Sequence, residues 1–192
     1  VSRIIAGSHG GRRLQTPPGQ RTRPTSDRVR EALFSAVSAW AGTSGGPAEE
    51  ALAGLAVLDL FAGSGAIGLE AASRGAPLVW LVESDRRAGR IAGENVRELG
   101  LGVQVRQQRA EELARTRATS TFDVVFADPP YEYPSVDLDQ LVADLVANEW
   151  VAGDGLVVLE RSVRTDAPRW PDDPVDAWSR DYGETVLHFW QR

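Results

Sequence analysis

Cysteine is absent from this 192-residue chain, and so is lysine. Without Cys there is no disulfide, no thiolate metal ligand and no thiol to form a covalent adduct, which fits a reducing compartment. The two histidines, His9 and His188, stand far apart and make no metal constellation, so no metal is expected. No apolar run approaches the ~18 residues of a membrane-spanning helix, and there is no signal-peptide pattern. These absences predict a cytoplasmic protein with no membrane partner.

The hydrophobic content of 42% and charged content of 25% are those of an ordinary globular protein, and the length suits one α/β domain with a small appendage. The net charge of −6 conceals an asymmetry. Residues 1–30 hold seven Arg and one acid, Asp27, so that segment is near +6 and the remainder near −12. An acidic body with a basic arm predicts a polyanion docking at the arm through Arg3, Arg12, Arg13, Arg21, Arg23 and Arg28. Arginine suits phosphate because its planar fork donates two parallel hydrogen bonds.

The chain divides into a basic hairpin and helix (1–41), a Gly- and Ala-rich linker (42–54) and a main domain (55–192). Residues 3–14 read as a small hairpin, and residues 27–39 as a helix with Val29, Leu33, Ala36 and Val37 at helical spacing. Strands are predicted at 55–60, 78–83, 103–106, 122–127 and 155–160, alternating with helices, and a closing hairpin turns at Gly183. A helix carries the stripe Leu138, Leu141, Val142, Leu145, Val146 and Trp150. Alternating strands and helices imply a mostly parallel sheet covered on both faces.

The stretch 55–68, LAVLDLFAGSGAIG, is a buried strand, a glycine turn and a helix start. In dinucleotide enzymes such a turn receives a pyrophosphate. Asp59, four residues before Gly63, would repel phosphate and attract an ammonium group, which points to S-adenosylmethionine; a helix cap is its plain structural alternative. Glu83 ends the next strand, where it could accept hydrogen bonds from ribose hydroxyls. The most specific signal is Asp128-Pro129-Pro130-Tyr131 directly after a strand. Two prolines end the strand in a rigid bend whose carbonyls stay available as acceptors. Asp128 and the Pro129 carbonyl could then hold a planar amine while Tyr131 stacks on its ring.

These motifs resemble class I S-adenosylmethionine-dependent methyltransferases acting on exocyclic base amines. With Arg3-Ile4-Ile5-Ala6-Gly7, Gly11-Arg12, Arg23-Pro24-Thr25 and Asp27-Arg28-Val29-Arg30-Glu31-Ala32-Leu33-Phe34, nearly the whole chain resembles the RsmD family, which methylates guanine N2 in 16S ribosomal RNA. The resemblance implies a Rossmann-like seven-stranded sheet with its last strand antiparallel, plus an N-terminal hairpin. It implies a monomer acting on 16S rRNA within an assembled small ribosomal subunit or its precursor. It places Asp59, Phe61, Gly63, Ser64, Gly65, Glu83, Ser84 and Ala110 at S-adenosylmethionine, and Asp128, Pro129, Pro130 and Tyr131 at the base. Related enzymes carry an acid after the third strand to read adenine, whereas this chain has Gln107-Gln108-Arg109-Ala110, and Arg109 cannot accept a hydrogen bond. The rival readings are an N6-adenine or protein glutamine amide methyltransferase, and a nucleotide-binding module without transfer chemistry.

Overall fold

The computed structural model describes residues 2–17 and 26–192, so Arg21 and Arg23 lie outside the described residues. The N-terminal hairpin pairs β1 (Ser2–Arg3) with β2 (Arg13–Leu14) and leads to α1 (Asp27–Trp40). The main sheet is built from β3 (Ala56–Leu60), β4 (Leu78–Glu83), β5 (Gln104–Gln107), β6 (Phe122–Ala127), β7 (Val151–Ser162), β8 (Asp176–Tyr182) and β9 (Thr185–Gln191). Its order is β5-β4-β3-β6-β7-β9-β8. Strands β3 to β7 run parallel, while β9 lies antiparallel between β7 and β8. The helices α2 (Ala66–Ser73), α3 (Arg86–Leu99), α4 (Ala110–Ala114) and α5 (Ser135–Ala147) connect them. This is the seven-stranded, mostly parallel sheet with an added hairpin that the resemblance implies. Among the described residues no helix is long and apolar enough to cross a membrane.

Strand alternation divides the core between two faces. Val57, Val79, Leu81, Val124, Phe126 and Val158 pack with α1, α2 and α3. Leu58, Leu60, Trp80, Val82, Val125, Val157 and Leu159 pack with α4 and α5. Each fully buried Leu on α5 contributes about 1.5–3 kcal/mol by leaving water. Helix α5 ends at Ala147, short of the expected Trp150. Asn148 donates to Ala114 O (2.8 Å) and Glu149 takes φ 66°, turning the chain so that Trp150 donates to Thr116 O at 2.8 Å. Segment 42–54, expected as a linker, contains a 3-10 turn (Ala48–Glu50) and buries Leu52, whose N–H donates to Arg74 O at 2.9 Å.

The arm is fastened to the body. Glu70 on α2, fully buried, accepts from Ile5 N at 2.6 Å, Ala6 N at 3.0 Å and Arg74 Nε at 2.9 Å. Ser73 Oγ accepts from His9 N (3.0 Å) and donates to Ala6 O (2.7 Å). On α3, Asn95 donates to both Gln15 O and Ser64 O at 3.0 Å. Replacing Glu70 with alanine leaves two N–H groups and a buried guanidinium unpaired. A loss of about 3–5 kcal/mol is expected, measured by urea unfolding.

Candidate functional site

Three strand ends create the site. β3 and β6 are paired so that Asp59 lies opposite Phe126 and Leu60 opposite Ala127. The same edge receives Glu83 from β4, whose neighbour Val82 lies opposite Leu60. Asp59, Glu83 and Asp128 therefore converge on the carboxyl edge of the sheet, the side where open α/β sheets bind ligands.

Asp59 is more enclosed than its position before the turn suggested, with 2% exposure. Its Oδ2 accepts from Gly68 N at 2.9 Å, which caps the first turn of α2 from the strand. Burial pushes this carboxyl up to about 8, and the negative charges of Asp128 and Glu83 add to the shift. Three acids on one edge make a field that a cationic ligand relieves.

The turn between them is shaped by close approach. Phe61 takes φ 58°, unusual for a side chain of its size, and Gly63 follows at φ 57°. A Cβ on Gly68 would lie 2.2 Å from Leu81 Cδ2, so only glycine lets α2 rest this near β4. Glu83 clamps the turn from the other side. Its two oxygens accept from Gly63 N and Asp85 N, both at 2.7 Å. Gln107 Nε2 ties β5 to the same place by donating to Glu83 O (2.8 Å) and Ser84 O (2.9 Å).

Beyond β6, Asp128 is half-buried, Pro129 is buried, and Tyr131 projects with 65% exposure. The two proline carbonyls were both expected to be available. Instead, Pro130 O accepts from Tyr133 N at 2.9 Å, because the loop closes a tight turn at this point.

Tyr133, Glu111 and Arg161 were not anticipated. The Tyr133 hydroxyl donates to Glu111 Oε1 at 2.6 Å, and its ring meets Phe61 edge-on at 5.2 Å. Arg161 on β7, 7% exposed, donates to Tyr133 O at 2.9 Å and lies within electrostatic reach of Asp128; burial holds its guanidinium below the usual value. Arg109, where an acid was sought, pairs with Glu111 at 3.2 Å. Burial raises the Glu111 carboxyl, but Arg109 and the Tyr133 hydroxyl outweigh it and hold it below the ordinary range. The doubled tyrosine of Tyr131-Glu132-Tyr133 was the available sequence clue. Ala110, buried, begins α4 beside them. A cleft of about 360 Å³ between α4 and α5 is lined by Arg109, Glu111, Tyr133 and Asp144, and none of Asp59, Glu83 or Asp128 borders it.

On the arm, Arg12, Arg13 and Arg28 are exposed, and Arg3 pairs with Asp27 at 3.1 Å. Arg30 is 1% exposed and donates to Arg3 O (2.8 Å) and Asp27 Oδ1 (2.7 Å), so its charge is internal.

A family model described as Conserved hypothetical protein 95 matches residues 2–191. Ribosomal RNA small subunit methyltransferase D of Escherichia coli K12 is 35% identical over 191 residues, covering 99% of this chain and 89% of that protein. This chain belongs to the RsmD family of methyltransferases. The protein of the same description from Haemophilus influenzae is 32% identical over 162 residues, 82% of this chain and 77% of that one. A solved hypothetical protein of Thermus thermophilus superposes with a TM-score of 0.78 and 32% identity, covering 100% of both chains. As an RsmD-family methyltransferase the chain takes S-adenosylmethionine as its methyl donor. The donor set fits that group: buried and strand-end acids for its cationic and hydroxyl-bearing parts, and a glycine turn with nothing within 4 Å of where a Gly63 Cβ would stand.

Proposed function

We propose that this RsmD-family protein methylates the exocyclic N2 of a guanine in 16S ribosomal RNA, within an assembled small subunit or its precursor. One observation carries the reading: Asp128-Pro129-Pro130-Tyr131 opens from the same sheet edge as Asp59 and Glu83. S-adenosylmethionine, when bound, supplies an activated methyl group on a cationic sulfur. Asp59 answers the positive charge of the methionine portion, the Gly63–Gly65 turn gives it room, and Glu83 holds the ribose. Phe61, Ser64, Ser84 and Ala110 complete that side.

Asp128 and the Pro129 carbonyl accept the two hydrogens of the guanine amine. A conjugated amine is a poor nucleophile, and these acceptors favour a pyramidal nitrogen while stabilising the positive charge that develops on it. The exposed Tyr131 ring gives the splayed base a stacking surface, as single-stranded RNA recognition requires. As the methyl–sulfur bond breaks, leaving neutral S-adenosylhomocysteine, the guanine nitrogen gains the methyl group and then releases a proton to water, so Asp128 acts by orientation and electrostatics rather than as a strong base.

The arm supplies docking. Arg12, Arg13 and Arg28 present exposed guanidiniums to phosphate, with Arg3 beside them; Arg21 and Arg23 belong to the same proposal. Such contacts set position more than sequence choice. The deciding experiment is tritiated methyl transfer to small subunits that lack the modification, followed by nucleoside analysis. N2-methylguanosine is the expected product; N6-methyladenosine, or no transfer, refutes the assignment. Replacing Arg12 and Arg13 together with glutamate should weaken subunit binding about tenfold or more and flatten its salt dependence, read by filter binding at several salt concentrations.

A further inference from the structure

We infer that Tyr133 and Glu111 form a clasp that holds the Asp128–Tyr131 loop in its working position, which makes both of them positioning residues. The inference rests on the function proposed above.

Tyr133 joins four parts of the molecule. Its hydroxyl donates to Glu111 Oε1 on α4 at 2.6 Å. Its backbone N–H donates to Pro130 O at 2.9 Å, and its carbonyl accepts from Arg161 Nη2 on β7 at 2.9 Å. Its ring packs edge-on against Phe61, with centroids 5.2 Å apart and planes at 70°. Phe61 belongs to the glycine turn and holds φ 58°, a conformation that persists only where surrounding contacts enforce it. Arg109 Nε grips the other oxygen of Glu111 at 3.2 Å. An unbroken path thus runs from Arg109 through Glu111 and Tyr133 to the base-binding loop.

The two tyrosines divide the work. Tyr131, 65% exposed, has its ring available to a base, whereas Tyr133 is partly buried and engaged at hydroxyl, ring, N–H and carbonyl. A hydroxyl bonded to a carboxylate is a charge-assisted pair, among the stronger neutral-to-ion contacts. Burial and the adjacent Glu111 carboxylate raise the Tyr133 phenol above its ordinary value, so it remains a donor throughout the neutral range. Displacing the loop by a fraction of an ångström would move Asp128 off the amine it must face, which slows transfer without emptying the cofactor site. The path also accounts for a cation at position 109, since Arg109 aims Glu111 at Tyr133.

The test compares Tyr133→Phe, Glu111→Ala, Glu111→Gln and the double variant Tyr133→Phe/Glu111→Ala with the unaltered protein. The assays are methyl transfer to small subunits lacking the modification, calorimetric binding of S-adenosylhomocysteine, and hydrogen exchange over residues 128–134. Tyr133→Phe and Glu111→Ala should each lower kcat about tenfold or more, with KM for subunits and Kd for S-adenosylhomocysteine within about threefold. Glu111→Gln, which still offers an acceptor oxygen, should recover most of the rate. The double variant should be no slower than either single one, because both remove the same contact. The amides of Asp128, Tyr131, Glu132 and residue 133 should exchange about tenfold faster in Tyr133→Phe while those of β6 stay unchanged. A kcat within about twofold of the unaltered protein, multiplying losses in the double variant, or unchanged exchange would each overturn the clasp. If the unaltered protein methylates no subunit, the functional reading fails, and the exchange measurement alone decides the clasp.

Discussion

Alanine at position 128 is expected to lower kcat for methyl transfer about 1,000-fold, with Kd for S-adenosylhomocysteine within about threefold of the unaltered protein. Asp128 has a defined place in the folded chain. It leaves β6 one residue past Ala127, half-buried, with Arg161 in electrostatic reach and a rigid proline pair behind it. In the proposed reading its carboxylate serves the acceptor base, whereas the cofactor turn is held by the hydrogen bonds that Glu83 accepts from Gly63 N and Asp59 accepts from Gly68 N. Asparagine should lose less than alanine, because an amide oxygen still accepts one amine hydrogen while the charge is gone. Calorimetry beside single-turnover transfer separates the two quantities. Parallel loss of binding and rate would show that Asp128 supports the cofactor turn and not the base.

The second large effect concerns pH. Asp59 titrates near 8 in the folded chain and near 3.8 when unshielded, because burial and the charges of Asp128 and Glu83 disfavour its ionised form. Between those values the folded state binds a proton that the unfolded state lacks. The contribution of Asp59 to stability is therefore fully present below about pH 4 and declines as pH rises to about 8, by at most ~1.4 kcal/mol per pH unit. A cationic ligand favours the ionised carboxylate and releases that proton. Affinity for S-adenosylmethionine should accordingly rise about 10- to 100-fold from pH 6 to pH 8.5 and then level off. Asp59→Asn keeps an acceptor for Gly68 N–H but removes the charge, so it should bind like the unaltered protein at pH 6 and about tenfold or more weaker at pH 8.5. Calorimetry in two buffers of different ionisation enthalpy counts the proton. An affinity flat across this range, with no proton released, refutes the mechanism.

Much of the frame was readable because its signals are local. β3, β4 and β6 are short apolar runs ending in an acid or a glycine turn, and their expected bounds agree with the observed ones to within a residue. Asp59, Glu83 and Asp128 could be placed at one edge because a parallel sheet puts all strand C-termini on one side. What escaped depends on packing across the chain. Tyr133 meets Glu111 only because α4 and α5 share a face of the sheet, and nothing in either local sequence records the pairing. Segment 42–54 has the composition of a linker, yet Leu52 is drawn into the core through the backbone of Arg74. Trp150 keeps the helical phase of α5, but Asn148 and Glu149 end the helix before it. The charge count likewise includes Arg30 in the excess of the arm, although its guanidinium is internal and donates to Arg3 O and Asp27 Oδ1.

The grip of Glu70 on Ile5 and Ala6 bears on how the arm can be studied. Cutting the arm away would strip that carboxylate of two donors and uncover a pocket that has never faced solvent, so a truncated protein reports on damage as much as on RNA. The hairpin is a riveted plate and not a detachable tether, and only changes to its outward guanidiniums can ask what it touches.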